Sequence, residues 1–419
     1  MLKKLLLCAA LWHTAPALAD DAATALPQWL QDQVEAHPAV QAAKSNIDAA
    51  QARLRAADKA LFNPELELDV EDIDARTSQI GISQQIDWGD QRGARTHLAQ
   101  LQRDINRLDY IETRHEVATR LLTALSDWHG ARSVHELAQQ RLELMTRFAR
   151  LAKLRYQSGD LSQVEADLAT LALSEARFQA SIAHSEFINS EQALIALTGK
   201  ETPWPALLSR LPKLDADAAQ LDALLQALPV VKRARLRVLA AQAAVAVASS
   251  AASANPTVGI RGGKEGDASL IGFNLSIPLQ LRNNFQAEID AANAEYIAAQ
   301  SEARNHYRQA RSRLHSALRA YQLSLDAWLA WRQSGERSLS QQISLLQRLW
   351  KTGELSTTDY LVQLKQAQDT QASAYQQRNT LWRNWAEWLA ASGRIEQWLK
   401  PASPSDTTSR GDDTDAAGE

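Results

Sequence analysis

Two long stretches of the chain carry the apolar spacing of coiled-coil helices. Between about Gly93 and Gln157 there is no proline, and apolar residues recur at every third or fourth position. A similar stretch runs from about Asn284 to Lys351. The seam of the first stretch consists of Leu98, Leu101, Ile105, Leu108, Ala118, Leu121, Leu125, Trp128, Leu137, Leu144, Phe148 and Leu151. This spacing predicts a mainly α-helical protein with two very long coiled-coil helices.

Four shorter stretches alternate between apolar and polar residues, as β-strands do. The first reads NPELELDVED and places an acid at every second position, namely Glu65, Glu67, Asp69 and Glu71. The residues between these acids are apolar, namely Leu66, Leu68 and Val70. Successive side chains of a strand point to opposite faces, so this strand has an acidic face and an apolar face. The alternation predicts strands at about 64–71, 77–88, 257–264 and 269–279.

The strands permit two interpretations. Their length and alternation fit a transmembrane β-barrel, and they equally fit a soluble hairpin that caps a helical bundle. Four strands cannot close a barrel, because the smallest barrels have about eight. If these strands cross a membrane, several copies of the chain must contribute to one barrel.

The order of these patterns occurs twice along the chain. Ala49–Ala52 recurs as Ala240–Ala243, and Tyr156–Ser162 matches Trp350–Ser356. The separation is 191 residues for the first pair and 194 for the second, so the markers keep a nearly constant offset. An internal repeat of this kind predicts two copies of one unit, each reading helix, two strands, a very long helix, a tight turn and a returning helix.

The repeat gives the expected domain organisation. A signal peptide is expected at 1–19, the first repeat at 20–199 and the second at 228–393. Strands at about 64–88 and a helical hairpin at about 91–199 belong to the first repeat. Strands at about 257–279 and a hairpin at about 284–393 belong to the second. An equatorial segment is expected at 200–227, and a C-terminal segment with an acidic, disordered tail at 394–419.

The two predicted hairpin tips share an aromatic residue, a glycine, an acid, a leucine and a serine. Gly159 and Gly353 are expected to end the long helices, and Ser162 and Ser356 to cap the helices that follow. Helix termination and capping explain the glycines and serines. The shared aromatic and leucine favour a second interpretation, in which both tips contact the same kind of partner.

The N-terminus indicates an exported protein. Lys3 and Lys4 precede an apolar run, and Ala17-Leu18-Ala19 fits a cleavage site before Asp20. The single cysteine, Cys8, lies inside this predicted signal, so the mature chain is expected to have no disulfide. No later segment approaches the ~20 apolar residues of a membrane helix. Basic residues are scattered, which argues against a nucleic-acid partner.

Motifs for catalysis are not found in the sequence. HExxH, GxSxG and GxxxxGK[ST] do not occur. The eight histidines beyond the predicted signal are scattered, and each is interpreted as a solvated helix residue. Trp382, Trp385 and Trp388 have the i, i+3, i+6 spacing of a packing stripe. We therefore expect no enzyme, no cofactor and no metal site.

The chain resembles the TolC family of outer-membrane efflux channels up to about Gly393. The resemblance is carried by the two Asn-Pro pairs before the strands (Asn63-Pro64 and Asn255-Pro256), by the tips RYQSGDLS and LWKTGELS, and by the closing ALTG and AASG. It implies a homotrimer with a twelve-stranded outer-membrane barrel and a periplasmic tunnel of twelve helices. It also implies partners, namely a periplasmic adaptor and an inner-membrane transporter of the RND type, and a location in the outer membrane of a Gram-negative bacterium.

The resemblance also implies roles for particular residues. In the family, acids just past the second tip form the tunnel gate; Asp359 matches the first of them, and Val362 stands where the second is expected. Acidic rings are expected from Asp359, Glu165, Asp160 and Glu354, although acids are also ordinary in the first turn of a helix. The implied adaptor-docking residues are Tyr156, Gly159, Leu161, Ser162, Trp350, Gly353, Leu355 and Ser356. The implied barrel lumen is lined by Glu65, Glu67, Asp69, Glu71 and Arg261.

The segment IPLQLRNNFQAEI (Ile277 to Ile289) resembles the heavy-metal branch of the family, typified by CzcC. The glycine that usually follows Arg-Asn in this branch is absent, and Phe285 and Gln286 stand nearby. A passive duct for heavy-metal cations is therefore expected. Within the family, the alternative is a duct for drugs or type I secreted polypeptides. From another class, the alternative is a periplasmic adaptor or coiled-coil scaffold, which would carry one hairpin flanked by lipoyl-like strands.

Overall fold

The computed structural model describes residues 17–72, 76–201, 203–208, 210–214 and 217–399. Ten α-helices and four β-strands occur in this part of the chain. The predicted signal peptide lies outside it, except for its last three residues, which begin the first helix. The acidic tail from Ser403 also lies outside it.

The element order repeats as the sequence predicts. The first repeat contains α2 (Pro38–Ala57), β1 (Glu65–Asp72), β2 (Arg76–Gln85), α3 (Gln91–Gln157) and α4 (Gln163–Thr198). The second contains α6 (Pro229–Ala251), β3 (Thr257–Glu265), β4 (Ala268–Ser276), α7 (Gln286–Ala330), α8 (Glu336–Thr352) and α9 (Thr357–Ser392). Outside the repeats lie α1 (Ala17–Ala36), α5 (Ala218–Ala227) and α10 (Ile395–Leu399). The duplicated, mainly helical fold is thereby confirmed.

The long helix of the second repeat has a feature that its counterpart lacks. One π-helical turn, Trp331–Gly335, separates α7 from α8, whereas α3 runs uninterrupted over 67 residues. The sequence pattern predicts one continuous helix here, and it contains no proline to indicate a change.

Both long helices begin from a residue in the left-handed backbone region. Asp90 has φ +49° before α3, and Phe285 has φ +58° before α7. The Asp87 carboxylate accepts hydrogen bonds from the amides of Gln91 and Arg92, each at 2.8 Å. Phe285 therefore holds a backbone conformation that glycine adopts more easily.

The chain divides into two compact units that do not follow the repeats. One comprises residues 1–37, 115–216 and 316–419, and the other residues 38–114 and 217–315. Each unit therefore draws on both repeats. The repeat boundaries expected from the sequence stay a prediction about the chain, because they do not coincide with compact units.

The first unit contains the hairpin tips and an aromatic core. Trp382, Trp385 and Trp388 of α9 are buried, as the packing-stripe interpretation predicts. The Tyr321 hydroxyl donates to the Pro212 carbonyl at 2.6 Å, and burial raises the pKa of this tyrosine. Nearer the tips, a second cluster joins residues of α3, α4, α8 and α9.

The second unit contains the β-sheet, whose strands lie in the order β1-β2-β3-β4 with every pair antiparallel. The edge strand β1 begins directly after Pro64, and the inner strand β3 begins directly after Pro256. Leu101 and Ile105 of α3 pack against Ala240 and Ala243 of α6 in the same unit. These alanines belong to Ala240–Ala243, the segment that repeats Ala49–Ala52.

Candidate functional site

The two helical tips share one backbone design. Gly159 has φ +86° and Gly353 has φ +82°, and a Cβ on either would meet nothing within 4 Å. Ser162 caps α4, because its hydroxyl accepts from the Glu165 amide at 3.3 Å. Ser356 caps α9 in the same way, accepting from the Asp359 amide at 3.1 Å. The predicted helix stops and N-caps are confirmed.

Two of the four acids at the tips take part in helix capping. Glu165 accepts from the Ser162 amide at 3.0 Å, which completes a capping box. Hydrogen bonds from the Ser162 backbone, and then from its side chain, lower the pKa of Glu165. Asp359 accepts from the Ser356 hydroxyl at 2.7 Å, and Asp160 accepts from the Ser158 hydroxyl at 2.9 Å. Glu354 is exposed. Capping accounts for Glu165 and Asp359 within one chain, so their role in acidic rings stays a prediction.

The two tip aromatics have different environments. Trp350 is 5% exposed and lies between Phe148 and Tyr360, with ring centroids 4.6 and 5.2 Å away. Leu161 is buried in the same cluster. Tyr156, the first-repeat counterpart of Trp350, is exposed. Within one chain, Trp350 and Leu161 therefore belong to the hairpin core, and their role in adaptor docking stays a prediction.

The remaining docking residues stay candidates. Five of the proposed docking residues are exposed at the two tips, namely Tyr156, Gly159, Ser162, Gly353 and Ser356. Leu355 is partly buried against the aromatic cluster. Contact with a partner is therefore available to the backbone and short side chains of the tips.

The sheet has one face that is apolar and exposed on all four strands. The cross-strand pairs place Leu66 beside Ile82, Ile82 beside Ile260, and Ile260 beside Phe273. Leu68 is 72% exposed and Phe273 is 81% exposed. The exposed residues of this face are Leu66, Leu68, Val70, Ile80, Ile82, Val258, Ile260, Ile271, Phe273 and Leu275. A surface this apolar requires lipid or another protein.

The opposite face is polar and carries all the predicted lumen residues. Glu67 pairs with Gly81, and Gly81 pairs with Arg261, so the β1 acids and Arg261 share one face. The Ser83 hydroxyl donates to the Glu67 carboxylate at 2.7 Å. Gly272 makes room for the Arg261 side chain, because a Cβ there would lie 3.1 Å from Arg261 Nε. The predicted sharing of a face is confirmed; its lining of a lumen is a prediction.

Two histidines differ from the solvated residues expected from the sequence. His129 is half-buried, and its Nε2 lies 2.8 Å from the Pro205 carbonyl. Burial is the main cause that lowers the pKa of His129. The His135 ring lies 4.9 Å from the His184 ring and 5.5 Å from the Phe187 ring. The sequence could not reveal this grouping, because His184 and Phe187 come from the returning helix.

Two features of the described residues bear on the class of protein. No helix among them is both long and apolar enough to cross a membrane. In the same part of the chain, no group of three or more histidine, cysteine or acidic side chains is arranged to hold a metal ion.

Comparison with known proteins gives one family and several similar structures. Residues 29–200 match the family described as outer membrane efflux protein. A search of curated proteins returned no match. The fold is similar to that of CusC, with a TM-score of 0.73 and 15% identity over 88% of this chain and 92% of that one.

Two further structures with the same fold are outer-membrane channels. The Campylobacter jejuni channel CmeC has a TM-score of 0.71 and 15% identity, over 90% of each chain. The open state of the Neisseria gonorrhoeae channel MtrE has a TM-score of 0.72 and 16% identity, over 88% of this chain and 89% of that one. At such low identity the similarity establishes the fold.

Proposed function

We propose that the protein is one subunit of an outer-membrane efflux channel. Two findings support this: residues 29–200 match the family described as outer membrane efflux protein, and the fold is similar to that of outer-membrane channels. In this proposal three copies form a passive duct from the periplasm through the outer membrane. The duct serves a tripartite efflux system with a periplasmic adaptor and an inner-membrane transporter of the RND type.

The observation that carries the proposal is the exposed apolar face of the sheet. Its side chains are uncovered on every strand, and the polar groups of the β1 and β4 edges have no neighbouring strand in one copy. Unpaired edges are satisfied when other strands continue the ladder. In the proposed channel, lipid covers the apolar face, and strands of further copies pair with the two edges. Three copies of four strands give a closed sheet of twelve.

The polar face then lines the water-filled passage. Glu65, Glu67, Asp69 and Glu71 of each copy contribute twelve acids to it, and Arg261 contributes three cations. Such a lining attracts cations through its field without binding them at one place. This supports heavy-metal cations as the cargo. A duct for drugs or secreted polypeptides is the second candidate, because exposed acids alone do not distinguish cargo.

The tips are the proposed contact with the adaptor. They expose a repeated backbone turn, so three copies present six similar tips. In the proposed trimer the acids Asp160, Glu165, Glu354 and Asp359 lie near the entrance and form the acidic rings of the gate. Neither tip carries a motif for nucleotide hydrolysis, so energy for transport is supplied by the partner transporter.

Lysine substitutions on the sheet test the channel proposal. Leu68→Lys and Phe273→Lys place a charge on the proposed lipid face, at about 2–4 kcal/mol near the membrane centre. We expect each to reduce the heat-resistant oligomer in the outer-membrane fraction severalfold. Gln79→Lys, on the opposite face, is the matched control and should assemble normally. A monomer in the soluble periplasmic fraction would overturn the proposal and favour the adaptor or scaffold.

Gene deletion tests the cargo. The deletion strain should lose tolerance to zinc, cobalt, cadmium, copper or silver and keep its tolerance to dyes and detergents. Complementation with the intact gene is the control and should restore metal tolerance. Unchanged metal tolerance together with drug hypersensitivity would instead support the drug duct.

A further inference from the structure

A groove of about 650 Å³ lies beside the π-helical turn. Trp328, Trp331 and Tyr375 form its aromatic part, with Leu339 and Ile343 at one end. Gly335 allows the Trp331 ring to lie against the turn, because a Cβ there would be 2.3 Å from Trp331 Cε3. The π-helical turn and its glycine therefore shape the groove.

The groove also holds an uncompensated positive charge. Arg332 and Arg378 line it together with one carboxylate, that of Glu336. In the described part of the chain, neither arginine forms a salt bridge. Burial lowers the pKa of Arg378, Tyr375 opposes this shift, and the Arg332 charge adds to it. Two guanidinium groups share the one carboxylate of Glu336, so one additional carboxylate would balance the charge of the groove.

Helix α4 carries a matching stripe on its exposed side. Phe178, Ile182 and Glu186 lie at i, i+4 and i+8 and therefore share a face. Phe178 is 68% exposed and Ile182 is 53% exposed. Glu186 is also exposed and forms no salt bridge with any described residue. Other positions of α4 are buried, including Ala169 and Ala176 in the tip cluster, so the stripe is an additional surface.

Contacts within one copy show which residues of α4 and α9 lie at the same height along the helix axes, and this height is called their level below. Helices α4 and α9 both begin at the tips and run in the same direction. Glu175 of α4 forms a salt bridge with Lys365, and Arg141 reaches both Glu175 and Asp369, at 3.8 and 3.4 Å. Glu175 is therefore level with residues 365–369 of α9.

From Glu175 onwards, α4 and α9 rise by the same distance per residue in the same direction. Phe178 lies three residues further, which makes it level with about 368–372. By the same step, Ile182 is level with about 372–376 and Glu186 with about 376–380. The groove residues Tyr375 and Arg378 stand at these two levels. The apolar part of the stripe thus matches the aromatic part of the groove, and the acid matches the arginines.

We propose that Phe178 and Ile182 of one copy fill the groove of the next copy, and that Glu186 pairs there with Arg332 and Arg378. This inference rests on the proposed ring of subunits. Rotation about an axis parallel to the helices carries each residue around the ring without changing its level. The contact is between two different surfaces, so it repeats around the ring until the ring closes. Each groove is complete only when its neighbour contributes the carboxylate.

Disulfide cross-linking tests the contact. The variant Ile182→Cys/Gln371→Cys places one cysteine on the stripe and one in the groove, and the native Cys8 lies in the predicted signal. Under oxidation, we expect covalent dimers and trimers on a non-reducing denaturing gel. Ile182→Cys/Ser373→Cys is the matched control, because Ser373 is at a similar level but shares the face of α9 with Asp369, which lies towards α4 of the same copy. Any linkage in the control should therefore be within one chain and give no covalent dimer. Equal linkage in both variants would overturn the proposal.

Charge exchange tests the ion pair. Glu186→Arg and Arg332→Glu should each lower the ratio of trimer to monomer about tenfold at elevated temperature in detergent. The double variant Glu186→Arg/Arg332→Glu should restore most of that ratio, which a purely structural defect would not do. Glu302→Arg, an exposed acid of α7 outside the groove, serves as the control. Absence of rescue in the double variant would contradict the pairing.

The two proposals fail in distinguishable ways. If the unmodified protein is a monomer in membranes, the channel proposal itself is wrong. If it is a trimer whose stripe and groove cysteines do not link, only the groove contact is wrong and the channel proposal stands.

Discussion

At the residue scale, the tips show how two short side chains end one helix and begin another. Ser162 and Glu165 satisfy each other's amides, which are the free donors of a helix N-terminus. At the second tip, Ser356 accepts from Asp359 and the carboxylate accepts from the serine hydroxyl. Each tip is therefore held by local hydrogen bonds as well as by the core beneath it.

Removal of the first cap should loosen the start of α4. Ser162→Ala should cost about 1 kcal/mol and so speed local opening of the first turn about fivefold. Hydrogen exchange of the amides of residues 163–166 measures this. Ser158→Ala, which removes a hydroxyl outside the capping position, should leave these rates nearly unchanged. Equal protection in Ser162→Ala and the unmodified protein would contradict the capping role.

The same cap should depend on pH. Its hydrogen bonds lower the pKa of Glu165 below the ordinary value of 4.5. The ionised carboxylate therefore contributes its full stabilisation above about pH 4.5, and the contribution is lost as the pH falls through the lower folded value. We expect the exchange difference between Ser162→Ala and the unmodified protein to shrink over that range. A difference that grows on acidification would have the wrong sign.

Single residues also show where the sequence could not decide. Tyr156 and Trp350 occupy equivalent positions in the repeat, yet one is exposed and the other buried. The difference arises because Phe148 of α3 and Tyr360 of α9 pack around Trp350. Phe148 comes from the other repeat, so the repeat predicts the turn and not the environment of its aromatic residue.

At the scale of elements, periodicity predicts the types and the order well and the ends less well. The strand predicted at about 77–88 ends at Gln85, although its alternation continues to Trp88. The Ile86 amide still donates to the carbonyl of Pro256 opposite it, but Pro256 has no amide to donate in return, so the ladder ends here. The Trp88 amide donates instead to the Asn255 side chain. The π-helical turn has no apolar pattern of its own, so it could not be predicted.

The second tip gives a test at this scale. Gly353 holds φ +82° in open space, so a side chain there meets no neighbour and strains only the backbone. Gly353→Ala should destabilise the hairpin by about 1–2 kcal/mol. Gly353→Asn is the matched control and should cost less, because asparagine tolerates this conformation. Thermal unfolding of the two variants checks the order, and equal melting temperatures would contradict it.

At the scale of the whole molecule, one chain leaves the apolar face of its sheet exposed. Its sequence predicts the apolar and acidic faces of the sheet, and cross-strand pairing confirms that each face continues over four strands. In the proposed channel, lipid covers the apolar face and other copies continue the sheet at its edges, and the sequence of one chain does not describe that environment. The groove beside the π-helical turn has the same origin, since its missing carboxylate lies on another copy in our proposal.

The acidic face leads to a prediction about the assembled duct. Replacing Glu65, Glu67, Asp69 and Glu71 together with glutamine removes twelve charges from the proposed trimer and keeps all four side chains polar. Because these side chains are exposed and belong to the polar face, trimer assembly should be unchanged. Cation selectivity, measured as the reversal potential of single channels in planar bilayers under a salt gradient, should fall strongly.

The control for this prediction is Arg261→Gln, which removes the opposite charge from the same face. It should shift the reversal potential in the other direction, and by less, because three charges change instead of twelve. If the four glutamines abolish the trimer, the acids are structural and the lumen assignment is wrong. If the trimer forms and its selectivity is unchanged, the acidic face does not line the conducting path.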